Sequence, residues 1–174
     1  MTTQPQNPWA RRVGASLGLV VLAAALLPFS PQIMRAAEGM SLHAPRWELW
    51  GQISPVLQLH IAAALAALAI GTVLMLRPKG RGLHKALGWT WVAAMSVTAI
   101  SSFFITGLNG DLFSLIHLLS GWTVIALPMA IYAIRNRNVE RHRRSMSGLF
   151  FGGLVIAGLF TFIPGRFMFE MFFG

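Results

Sequence analysis

The sequence predicts an all-α integral membrane protein with five transmembrane helices, the last four of which form an antiparallel bundle. Two observations predict this class. Of the 174 residues, 55% are hydrophobic and 11% are charged, whereas soluble domains carry about a quarter charged residues. In addition, five apolar stretches are long enough to cross a bilayer, which takes about 20 helical residues. Chains that span a bilayer form helices or closed barrels, and continuous apolar runs of this length exclude strands.

The five expected helices are separated by loops that contain turn residues or charges. In chain order they run from about Val13 to Met34, Ser54 to Leu76, His84 to Gly107, Leu112 to Ile134, and Met146 to Ile163. The chain then divides into four parts. The N-terminal segment and first helix comprise residues 1–35, and an outer loop comprises 36–53. The four-helix core comprises 54–164, and an amphipathic interfacial tail comprises 165–174. Short connections make consecutive core helices antiparallel neighbours.

The basic residues predict the orientation. The sequence has 14 Lys and Arg residues, and 11 of them precede the first helix or lie in the second–third and fourth–fifth turns. The positive-inside rule places such segments in the cytoplasm. We therefore expect a membrane protein with a cytoplasmic N-terminus and an external C-terminus. The net charge of +9 follows from this topology, so a nucleic-acid partner is not expected.

Four histidines are the candidate functional residues, because ionisable side chains within a membrane are costly and usually functional. At about 1.5 Å per residue, His60 and His117 lie roughly 24 and 27 Å from the cytoplasmic ends of their helices. His84 and His142 both lie at the cytoplasmic boundary. The histidines thus form two levels, and each level pairs two helices that can be diagonal in a four-helix bundle.

Paired histidines on facing helices are typical of haem ligation, and bis-histidine iron suits electron transfer. The expected cofactor is haem b, one or two per chain, with His60 and His117 as the favoured ligands and His84 and His142 as the weaker pair. Cysteine is absent from the sequence, which excludes thiolate sites. His84 and His117 each begin the pattern His-x-x-x-Gly-Trp, and a glycine four residues on lies on the same helix face.

Other roles for these residues stay open. His60 and His117 could instead hydrogen-bond neighbouring helices, while His84 and His142 could contact lipid headgroups. A cytoplasmic haem would carry anionic propionates, and arginine binds carboxylates in a bidentate fork. Arg143 and Arg144 are therefore added to the candidate cofactor-binding residues.

Three segments carry a resemblance to a known family. They are Arg81–Trp89, Glu140–Met146 and Ala157–Arg166. Through them the stretch from about His60 to Arg166 resembles the uncharacterised bacterial membrane proteins of the DUF2306 family. The resemblance implies a membrane protein without an assigned activity, and it gives weight to His142. The order of four histidines on four consecutive helices is also similar to the layout of di-haem cytochrome b561 bundles, which would imply two haems.

The expected function is transmembrane electron transfer through b-type haem, with quinone as a candidate partner; whether the protein is itself an oxidoreductase stays open. Two other functions also stay open. The chain could be a non-catalytic accessory subunit of a larger membrane complex, or a small transporter or lipid-binding protein. The expected partners are the lipid bilayer, a quinone or redox protein, and in the accessory case the larger complex.

Overall fold

The computed structural model describes residues 31, 34, 40–80, 82–105 and 115–174, with side chains from 117 onward in the last range. These residues are helical or irregular, and none of them lies in a strand. The all-α class is therefore confirmed. The expected first helix and the loop after the third helix lie mainly outside the described residues.

Helix α1, Pro55–Leu76, has nearly the bounds that its hydropathy predicts. Ser54 is its N-cap, and the Ser54 hydroxyl accepts a hydrogen bond from the backbone N–H of Leu57. Pro55 follows as the first helical residue, where a missing N–H costs nothing because that group has no partner within the helix. After the turn with the left-handed Gly80, α2 runs over Gly82–Ser102.

Helix α3, Leu115–Arg135, contains Pro128 without a break in its helical assignment. It ends in a Schellman motif, in which Arg137 takes the left-handed position with φ 59°. The N–H of Asn138 bonds the Ala133 carbonyl, and the N–H of Arg137 bonds the Ile134 carbonyl, the two bonds that define this motif. Asn138 then caps the next helix through Arg141 N–H.

The last core helix begins at Val139, about seven residues before the apolar stretch suggested. It consists of α4, Val139–Gly148, a π-helical segment, Leu149–Ile156, and α5, Ala157–Phe160; we call these together the C-terminal core helix. Its first turns are polar, so hydropathy alone did not predict them. His142 consequently lies within a helix rather than just before one.

Two of these helices, Pro55–Leu76 and the His117–Arg135 part of α3, are long and apolar enough to cross a membrane. Within residues 45–162, α1 packs against α2, α2 against α3, and α3 against α4, while the π-helical segment contacts both α1 and α3. The four core helices thus form a ring in chain order. The diagonal pairs are α1 with α3, and α2 with the C-terminal core helix.

Contacts between side chains set the direction of neighbouring helices. His60, near the start of α1, bonds Thr98 near the end of α2, whereas Gly71, further along α1, approaches Trp91. Helices α1 and α2 are therefore antiparallel. All four core helices contribute to one apolar core, whose buried members are Ala67, Leu74, Trp91, Met95, Ala126, Leu127, Leu149, Phe150 and Leu154.

A second compact unit includes residues 40–44 and 163–174 among the described residues. Gly165, with φ 81°, follows Pro164 where the chain turns, and α6 then covers Phe167–Phe172. His43, the first of the five histidines in the sequence, links residues 40–44 of this unit to its C-terminal segment. Its backbone N–H donates to the Phe172 carbonyl, and its Nε2 lies 3.1 Å from the Gly174 carbonyl oxygen.

Candidate functional site

A cavity of about 220 Å³ lies at the end of the bundle that carries the basic turns, and residues of all four core helices line it. We call it the basic-end cavity. Most of its wall is apolar, and the side chains with a nitrogen that can hydrogen-bond are His84, Lys85, Trp89, Trp91 and His142. The structure therefore brings together the two histidines that the sequence assigned to the cytoplasmic level.

His84 lies in the first turn of α2, next to Lys85, at the end of the bundle that carries the basic turns. Burial lowers the pKa of His84, and the charges of His142 and Lys79 lower it further. These effects favour the neutral imidazole over its charged form. A neutral imidazole keeps a lone pair with which it can bind a metal or accept a proton.

His142 contributes an imidazole with a defined tautomer. Its Nδ1 lies 2.9 Å from the backbone carbonyl oxygen of Ala130 on α3. A carbonyl only accepts, so Nδ1 carries a hydrogen, and in the neutral ring Nε2 then carries the lone pair. The same arrangement orients histidines that bind metals, and it equally leaves Nε2 as a hydrogen-bond acceptor.

Trp91 supplies a buried donor to the same cavity. Its side chain is only 4% exposed, and its indole Nε1–H has no hydrogen-bond partner among the described residues. A buried donor without a partner costs about 1–3 kcal/mol. An acceptor on a bound molecule would recover this energy.

Gly71 makes room for the Trp91 indole. A Cβ at Gly71 would lie 2.7 Å from Trp91 Nε1 and 2.5 Å from the Phe150 ring, closer than real Cβ contacts allow. Gly71 also lines the cavity, as does Gly88. A Cβ at Gly88 would meet nothing within 4 Å, so the glycine of the His84-x-x-x-Gly88 pattern does leave open space beside the histidine.

His60 lies in a different, smaller cavity. Its Nδ1 is 3.0 Å from the Thr98 carbonyl oxygen and 3.1 Å from the Ser101 hydroxyl, so this histidine joins α1 to α2. The cavity it lines measures about 100 Å³, and among the described residues of its wall His60 is the only histidine. At about 30 Å³ per water, this is room for roughly three waters.

His117 is buried, and its ring centroid lies 6.3 Å from that of Phe103. Its depth can be read from neighbouring contacts. His60 bonds Ser101, and Ser102, the next residue of α2, bonds Ser120 of α3. His117 therefore lies about one helical turn, roughly 4.5 Å, further from the basic end than His60. The contacts bring these two histidines to neighbouring levels and not into one described cavity.

Arg143 and Arg144 pair with Glu140. Their guanidinium groups lie 2.9 and 3.5 Å from its carboxylate oxygens, and all three side chains are exposed. Neither arginine is among the described residues that line the basic-end cavity. Lys85 is the cation that does line it.

A larger depression of about 510 Å³ lies between α2 and α3, where Trp89, Pro128 and Tyr132 are part of its wall. Its described lining contains no histidine or carboxylate. Trp89 and Tyr132 are both exposed, as is common for side chains that contact lipid. We therefore place the chemistry in the basic-end cavity despite its smaller volume.

Comparison with known proteins identifies the family. The sequence profile of the DUF2306 family, described as predicted membrane proteins, matches residues 57–172. The chain belongs to this family. No curated protein and no solved structure matches it. The match includes all four core helices and both cavities, and it confirms the resemblance read from the sequence. The similarity between the order of the four histidines and the layout of cytochrome b561 stays an expectation.

Sequence reasoning identified His84 and His142 but missed Trp91. Trp89 and Trp91 are two residues apart, and in a helix such residues point in different directions. One of the pair therefore had to face away from lipid, but the sequence did not say which. In the structure Trp89 is 56% exposed and Trp91 is 4% exposed.

Proposed function

We propose that this membrane protein binds the headgroup of a quinone in the basic-end cavity and serves as the quinone-binding part of an electron-transfer system. The observation that carries the proposal is the composition of one cavity wall. Two imidazoles from diagonal helices, the Lys85 ammonium and the Trp91 indole, whose N–H has no partner among the described residues, line a mostly apolar space. Apolar pockets with a few convergent polar groups are typical ligand sites.

Size and chemistry favour a single redox-active ring. Drug-sized ligands occupy pockets of about 300–1,000 Å³, and the cavity of about 220 Å³ is smaller. A quinone headgroup is one ring or two fused rings, and its apolar tail can extend into lipid. Its oxygens need hydrogen-bond donors once they leave water, and Trp91, His84 and Lys85 carry donor groups at the cavity wall.

Electron transfer through haem b is the second candidate, because one observation favours it directly. His84 and His142 come from diagonal helices into one cavity, and the Nδ1 contact of His142 leaves Nε2 free to bind iron. The donor set therefore fits a bis-histidine haem, which would supply one-electron chemistry when bound. A porphyrin is much larger than the cavity, so the bundle would have to open. The cavity beside His60, of about 100 Å³, is smaller still and would need a larger opening to hold a porphyrin.

We also propose how the chain crosses the membrane. We propose five transmembrane helices in a bacterial inner membrane, with a cytoplasmic N-terminus and an external C-terminus. The segregation of 11 of the 14 basic residues supports this orientation. The basic-end cavity then opens near the cytoplasmic surface.

Titration of the purified protein in lipid nanodiscs with decylubiquinone tests the proposal, with the visible spectrum recorded before addition. Saturable binding that His84→Phe weakens at least tenfold is the expected result, while Ser96→Ala on the same helix serves as the matched control. A colourless protein that does not bind quinone would overturn both candidates. A Soret band lost in His84→Phe would favour haem instead.

A further inference from the structure

We propose that Trp91 and His142 recognise the two oxygens of the headgroup differently, so that the site binds the quinol more tightly than the quinone. Trp91 Nε1–H donates to one oxygen, and His142 Nε2 accepts the hydroxyl hydrogen of the other. This inference rests on the proposed function, and it adds which redox form the site prefers and which residues decide it.

The role of His142 follows from its tautomer. Because the hydrogen of the neutral ring is on Nδ1 and points to Ala130, Nε2 of this cavity-lining residue carries only a lone pair. A quinol hydroxyl can donate to that lone pair. A quinone carbonyl has no hydrogen to give, so its oxygen and Nε2 would repel each other.

The role of Trp91 follows from its unsatisfied N–H. Indole nitrogen only donates, and the side chain is too buried for bulk water to reach. Quinone and quinol oxygens both accept, so this contact stabilises both forms. Of these two residues, Trp91 therefore binds either form and His142 distinguishes them.

A buried acceptor that is left unpaired weakens binding by about tenfold. The dissociation constant of the quinol should therefore be about tenfold lower than that of the quinone. No electron is transferred in this comparison, since each form is measured at equilibrium.

Calorimetry on the full chain in nanodiscs, at neutral pH, compares decylubiquinone in air with decylubiquinol under anaerobic conditions. Wild type should prefer the quinol about tenfold. His142→Gln should remove the preference, because an amide can donate as well as accept. Trp91→Phe should weaken both forms about tenfold and keep the preference. His60→Gln, in the other cavity, should change neither value.

A measurement on the wild-type protein tests the same contact without relying on variants that could misfold. In ¹⁵N-tryptophan-labelled protein, the indole N–H resonance of Trp91 should shift when either form binds. Equal affinities of the two forms in wild type, or a stationary Trp91 resonance at saturation, would overturn this inference while the proposed function survived. Absence of binding by both forms would overturn the proposed function as well.

Discussion

The Nδ1 of His142 lies 2.9 Å from the backbone carbonyl oxygen of Ala130, and this contact joins the start of the C-terminal core helix to α3. The three-residue turn between the two helices already brings them close. The hydrogen bond also fixes the orientation of the imidazole ring. His142 therefore joins two helices and, in the proposed function, contacts the ligand.

Replacing His142 should therefore cost stability as well as ligand binding. His142→Ala removes a partly buried hydrogen bond of about 0.5–1.5 kcal/mol, and its midpoint of thermal unfolding in detergent should fall by a few degrees without ligand. Arg143→Ala is the matched control on the same helix. Arg143 forms an exposed ion pair with Glu140, and such pairs contribute little. Equal losses in both variants would contradict the hydrogen bond's role.

Gly71 and Gly88 line the same cavity but differ in the space around them. Gly71→Ala forces a Cβ against Trp91 and Phe150, and such overpacking costs typically about 1–3 kcal/mol. Gly88→Ala meets nothing within 4 Å and should not lower stability. Thermal unfolding of the two variants in one detergent makes the comparison. We expect only Gly71→Ala to shift the fluorescence of the protein, because it displaces a buried tryptophan.

The left-handed Arg137 makes the α3–α4 turn sensitive to residue type. A β-branched side chain is poorly accommodated at positive φ, so Arg137→Val should destabilise the protein by about 1 kcal/mol or more. Arg137→Gly should be neutral or stabilising, because glycine adopts this conformation without a steric cost. Chemical unfolding followed by circular dichroism measures both. If Arg137→Val is more stable than Arg137→Gly, the chain does not form the Schellman motif at this position.

The sequence predicted the bundle because apolar length and charge segregation are strong signals that neighbouring residues cannot mask. The start of α1 agrees within a residue, since Ser54 and Pro55 mark it. The C-terminal core helix was predicted too short, because Asn138 caps a polar turn that hydropathy ignores. The levels of His60 and His117 could not be read from residue counts alone, because the register between helices depends on side-chain contacts such as Ser102 with Ser120.

His84 should give the protein a specific dependence on pH. Its pKa is lower in the folded protein than the ordinary value, so the unfolded chain takes up the proton first as pH falls. Stability is therefore full above about pH 6.5 and decreases as the pH drops below that value. His84→Gln should flatten this part of the unfolding-midpoint curve between pH 8 and 5. If the unfolding midpoint of His84→Gln depends on pH as steeply as that of wild type, other groups cause the loss of stability at low pH.

The last prediction concerns topology. If the segregation of basic residues reflects five membrane crossings, the turn at Arg81 is cytoplasmic and the chain after Gly174 is external, since three spans separate the two points. Fusions of alkaline phosphatase and of green fluorescent protein after each residue should report opposite sides: phosphatase active after Gly174, fluorescence after Arg81. A fusion after Arg137 is the internal control and should match Arg81. If Arg81 and Gly174 report the same side, the C-terminal core helix does not cross the bilayer, and the five-helix topology is excluded.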